Sequence, residues 1–157
     1  MRDDIAMTTG NLQDSGDPDI TDLGNDVYQI DTRMAGYQGI TAGYLIRSSR
    51  PWAADLATVL VTHIHLDHAG GVGDIASMFA GAQVVVHEKG ARHHVGLVDS
   101  QSGDLYVGDA AGVYIPETGD LRPATPPPDF DLSVALASLD RFASLDPSRS
   151  CSATTGR

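Results

Sequence analysis

The chain has 157 residues, 41% of them apolar, and a formal net charge of −11. One domain fits that length, and a domain of about 150 residues buries roughly 70% of its unfolded surface. The acidic balance repels phosphate backbones and argues against nucleic-acid binding by bulk charge; the single cysteine, Cys151, rules out an intrachain disulfide framework and a cysteine-rich zinc site.

Residues 1–25 are polar, rich in Asp, Gly and Thr, and read as a flexible tail. Met1-Arg2-Asp3-Asp4 carries no apolar leader, and no run approaches the ~20 residues needed to span a bilayer. The expectation is a soluble cytoplasmic protein with no membrane partner. Val27 to Ile30 and Thr41 to Ile46 read as strands, with a connection bearing Gly36 and Gly39. Leu56 to Thr62 is a continuous apolar run rich in β-branched residues, predicted as a strand buried on both faces. A short helix is predicted over Gly73 to Phe79, and a second buried strand over Gln83 to His87. This strand–helix–strand unit signals a layered α/β fold.

Two short strands, Val95 to Val98 and Leu105 to Gly108, flank a turn at Ser102-Gly103-Asp104. Arg122 to Asp129 holds four prolines and is predicted as loop. Asp129 or Asp131 can cap a helix running to about Leu145, with Phe130, Val134, Leu136, Leu139 and Phe142 at roughly helical spacing. The body of the domain is assigned to residues 26–149 and an irregular polar tail to 150–157.

The chemistry concentrates in Thr62-His63-Ile64-His65-Leu66-Asp67-His68-Ala69-Gly70-Gly71. His63 and His65 stand at i and i+2 on a strand end, so in extended chain they point the same way and can chelate one ion. Asp67 and His68 follow where the chain turns and can offer ligands to a second ion. Imidazole and carboxylate donors suit zinc, with manganese or iron conceivable.

This H-x-H-x-D-H pattern after an apolar strand resembles the metallo-β-lactamase superfamily. Tyr106-Val107-Gly108-Asp109-Ala110-Ala111-Gly112 resembles the strand of that family that ends in a bridging aspartate. The resemblance implies a mixed α/β fold, a partial αββα sandwich with mixed sheets and flanking helices. It implies His63 and His65 on a first metal, Asp67 and His68 on a second, Asp109 between them, and two zinc ions as cofactor. The implied activity is zinc-dependent hydrolysis of a small-molecule ester, thioester, lactone or similar bond by a metal hydroxide, with Asp67 orienting or deprotonating the water.

The sequence departs from the family pattern in ways that bear on function. A strand and helix normally precede the histidine strand, and the stretch around Pro51-Trp52 is too short for them. His93-His94 resembles the region just after the family's third histidine, but the Pro-Gly-His turn is absent, so His94 is left out of the ligand set. His87, at a strand end, reads as structural. The end of the chain carries no histidine; a one-base shift in one possible coding of the last eight residues would make them an apolar strand ending in histidine. With only His63 and His65 on the first ion, weak metal binding is expected. The alternative reading is therefore a truncated, inactive fragment or paralogue with residual metal binding. An oxygen-reducing flavodiiron-type relative fits less well, because no flavin-binding domain is present.

Overall fold

A computed structural model describes residues 19–34, 38–47, 57–79, 81–91, 94–115, 118–125 and 130–153. Positions 1–18 of the expected tail, Gly36, Pro51-Trp52, His93 and Asp129 lie outside them. In chain order the strands are β1 (Ile20–Gly24), β2 (Val27–Asp31), β3 (Ala42–Ile46) and β4 (Thr58–Val61). The helices α1 (Leu66–Ala69) and α2 (Val72–Met78) follow, then β5 (Gln83–Val86), β6 (Leu97–Val98), β7 (Asp104–Gly108), β8 (Val113–Ile115) and β9 (Asp120–Arg122). Helix α3 (Leu132–Ser144) and β10 (Arg149–Ser152) complete the set. The result is a mixed α/β protein with several small sheets and few helices.

β1, β2 and β3 form an antiparallel meander in which Val27 faces Ile46 and Asp31 faces Ala42. β1 falls within the stretch assigned to the tail. Its polar sequence hides it: the strand is specified by the turn at Asn25-Asp26, both in the left-handed region (φ 54° and 61°), which is the geometry of a tight hairpin.

β7 is the best-buried strand, flanked by β6 antiparallel and β10 parallel. Val27, Tyr106 and Cys151 form a core cluster with Leu23, Tyr44 and Leu97 packed against it, so the meander covers this sheet. Tyr44 meets Tyr106 edge to face at 5.1 Å and donates its hydroxyl to the Ser152 carbonyl at 2.6 Å. The irregular tail expected from Ser150 is thus a strand in its first residues. Its side chains are polar, but Arg149 donates to the buried Asp104 carboxylate and to the Leu23 carbonyl, and Cys151 is buried. Those are long-range contacts that a local pattern cannot display.

β4 and β5 pair in parallel, with Thr58 beside Gln83 and Val61 beside Val86, and the crossover carries α1 and α2. The expectation that both strands are buried on both faces is overturned. Leu60 is 55% exposed and Val84 and Val85 45% each. A parallel pair is buried only when elements cover both faces, and among the described residues the helix packed on β5 is α2. Val61, at the end that leads into the histidine motif, is buried.

β8 and β9 form a hairpin, so Arg122 ends a strand where a loop was predicted to begin. α3 starts on the Asp131 cap, whose carboxylate accepts the Ser133 and Val134 amides at 2.8 and 3.1 Å. Phe142 comes so close to Gly96 that a Cβ there would stand 2.7 Å from its ring. The other apolar positions of the predicted stripe, among them Val134 and Leu136, are exposed. Among the described residues no helix is long and apolar enough to cross a membrane.

Candidate metal centre

The histidine motif leaves β4 in extended backbone and turns into α1 at Leu66, so Asp67 and His68 occupy the first helical turn. A 3-10 turn at Glu88–Ala91 braces it from behind. The Gly90 carbonyl accepts the Ile64 amide at 3.2 Å, and a Cβ on Gly90 would stand 2.7 Å from the Thr62 carbonyl oxygen. Asp109 follows β7 directly, on a turn closed by Ala110 N–H to Val107 and Gly112 N–H to Asp109, each 2.9 Å.

These elements bring His63, His65, His68 and Asp109 together. His63 is the floor, 1% exposed, while His65 and Asp67 lie at the exposed rim. His63 and His65 stack edge to face at 4.6 Å, and His63 and His68 lie 4.1 Å apart. His68 Nε2 is 3.2 Å from an oxygen of Asp109 and 3.2 Å from one of Asp67, and His63 Nε2 is 3.7 Å from Asp109.

His94 is the residue that the sequence reading set aside and the fold brings in. Its ring is 4.2 Å from His63 and 5.2 Å from His65. The ligand atoms of His63, His65, His94 and Asp109 all lie within 4.8 Å of one another, as do those of Asp67, His68 and Asp109. The reason is strand register. Leu97 pairs with Tyr106, and continuing that antiparallel register by three residues sets position 94 opposite position 109. His94, set aside on the sequence, thus lies beside His63, His65 and Asp109, and these four residues could hold one ion. His87, in contrast, is exposed, and its Nδ1 accepts the Lys89 amide at 3.1 Å.

The electrostatics fit a cation. His63 Nε2 and His94 Nε2 are buried without a hydrogen-bond partner, and each unmet buried group costs about 1–3 kcal/mol. Burial, then the charges of His68 and His94, push His63 down to about 4. Burial likewise lowers His94. For His68 burial works downward, but the hydrogen bond and charge of Asp109, aided by Asp67, outweigh it and raise the value. For Asp109 burial works upward, and the His68 hydrogen bond with the surrounding histidines holds it below the usual carboxylate range. Two imidazoles whose charged form is disfavoured, with Nε2 atoms gathered near a carboxylate whose charged form is favoured, are a donor set that suits zinc and similar ions.

This arrangement makes the metal-free protein acid-sensitive. His63 takes a proton near pH 6.5 when unfolded but only near 4 when folded, so stability falls as pH drops through that window. From pH 7 to pH 5 the His63 contribution is about 2 kcal/mol. A His63→Asn variant is expected to show a pH dependence shallower by that amount in urea titrations with chelator present; parallel curves would refute it.

Residues 53–94 match the family model described as the metallo-beta-lactamase superfamily. The matched stretch runs through β4, the histidine motif and β5, and it ends on His94. No curated protein and no solved structure matches the chain.

Proposed function

We propose, for a chain whose residues 53–94 match the metallo-beta-lactamase superfamily model, that it is a zinc-dependent hydrolase of a small-molecule ester, thioester, lactone or similar bond. The observation that carries this reading is the convergence of two buried, unpartnered imidazole nitrogens, His63 Nε2 and His94 Nε2, with His65 and Asp109. Those four residues would hold one ion; Asp67, His68 and Asp109 would hold a second. When bound, the ions supply Lewis acidity toward a carbonyl or phosphoryl oxygen and make water acidic at neutral pH.

The chain's own residues do the rest. The rim formed by His65 and Asp67 admits the substrate. Asp67, beside His68, orients the attacking water and accepts its proton. Without an ion, Asp109 lies within hydrogen-bond distance of His68 Nε2; as the member common to both ligand sets it would keep the two in register. The αββα layering belongs to the same proposal, with the meander and the β7 sheet as its two sheets, as does a cytoplasmic location.

A second reading, a metal-binding but inactive fragment, is favoured by the exposure of apolar side chains on β4 and β5, where Leu60, Val84 and Val85 face solvent. Zinc content after dialysis, measured beside turnover of generic esters, thioesters and lactones, separates the two. The enzyme reading expects retained zinc, with both ligand sets filled when zinc is in excess, and turnover that chelator abolishes and zinc restores. Zinc without turnover supports the second reading, and no retained zinc sinks both.

A further inference from the structure

Thr62 sits between the two strands that deliver the ligands. Its hydroxyl is 3.1 Å from His63 Nδ1. On its other side it faces Gly108, where a Cβ would stand 2.9 Å from the same oxygen and 3.2 Å from the Thr62 Cβ. Gly108 has φ +53° and immediately precedes Asp109. A side chain at 108 would push the hydroxyl off the imidazole, so the bare glycine and the hydroxyl form one joint.

We infer that Thr62 is a positioning residue: its hydroxyl accepts the His63 Nδ1 proton, fixing the imidazole with its Nε2 lone pair turned toward Asp109 and His94. A neutral imidazole carries one proton, shared between two nitrogens. If it sits on Nδ1, Nε2 is a donor to an ion; if it sits on Nε2, that atom is blocked. Ligating histidines are oriented in this way by an acceptor on the other nitrogen, and its loss costs about 10–100-fold in metal affinity. Thr62 adds a second function, because the same side chain rests on Gly108 and so ties the tautomer of His63 to the placement of Asp109. The metal half of this inference rests on the zinc reading above; the tautomer half does not.

The test compares wild type with Thr62→Val, which keeps the shape and removes the hydroxyl, and Thr62→Ser, which keeps the hydroxyl. Thr62→Ala serves as a second hydroxyl-free variant should the valine form not fold. Long-range proton–nitrogen correlation of histidine-labelled, metal-free protein reads the His63 tautomer, and competition with a chromophoric chelator reads zinc affinity. We expect the Nδ1–H form in wild type and Thr62→Ser, a shift toward the Nε2–H form without the hydroxyl, and zinc binding weakened about tenfold or more in the hydroxyl-free variants. The inference is overturned if the tautomer is unchanged without the hydroxyl, or if Thr62→Ser behaves as Thr62→Val does. A tautomer shift in the hydroxyl-free variants, found alongside a wild type that binds no zinc, would uphold the role of Thr62 and reject the metal reading.

Discussion

Replacing His94 with alanine is expected to weaken zinc binding about a hundredfold. A complete structural zinc site contributes about 10–16 kcal/mol, so one ligand of four accounts for roughly 3 kcal/mol. His94 has the attributes of such a ligand: a buried, unpartnered Nε2 and a ring 4.2 Å from His63. The control is His87→Ala, because His87 is exposed and engaged with the Lys89 amide. Chelator competition should leave His87→Ala at the wild-type affinity. Equal affinity in both variants would place His94 outside the site and return the chain to the two-histidine centre expected from the motif alone.

Removing the Asp104 carboxylate is the second large effect. Asp104 is 1% exposed and receives the Arg149 guanidinium, which also reaches the Leu23 carbonyl. Breaking such a pair leaves a guanidinium without its counter-charge. The cost for a buried pair is about 3–5 kcal/mol, and because Arg149 is partly solvent-accessible we place Asp104→Ala near the lower end, about 3 kcal/mol. β10 lies parallel to β7 with Arg149 opposite Asp104, so the loss should loosen that strand first. Cys151 then becomes reactive, and thiol labelling in native buffer is expected to accelerate along with the drop in urea midpoint. Arg149→Met introduced with Asp104→Ala should recover most of the stability. A double variant no better than the single one would show that the ion pair is not what fastens β10.

Much of the local structure was legible in the residues. β2 and β3 announce themselves by short aliphatic and aromatic stretches, α2 by a helical patch, and α3 by an aspartate ahead of apolar residues at helical spacing. What escaped reading depends on partners far along the chain. Arg149-Ser150-Cys151-Ser152 has no strand pattern; Asp104 and Tyr106 make it one. The apolar run of β4 says which side chains favour burial, not whether anything covers them, and Leu60 shows that nothing described does. At the metal centre the contiguous motif was visible at once. His94 escaped notice because no Pro-Gly turn precedes it, although its signal lay in the predicted β6–β7 hairpin: the register of that hairpin sets position 94 across from Asp109.

Among the described residues, β4 and β5 carry apolar side chains in the open. The histidines hang from the end of a sheet with two strands and an open face, the kind of unit that opens locally at low free energy while the rest of a domain stays closed. His94 and Asp109 hang from the buried β7 sheet. An ion gripping both sets would staple the loose unit to the firm one, and anything that binds only the closed form stabilises it by about 2.7 kcal/mol at a hundredfold excess over its dissociation constant. The cation would then do for the described β4–β5 strands part of what a covering layer does, so the availability of metal in the surroundings would govern how long the polypeptide survives proteolysis as well as what it can do.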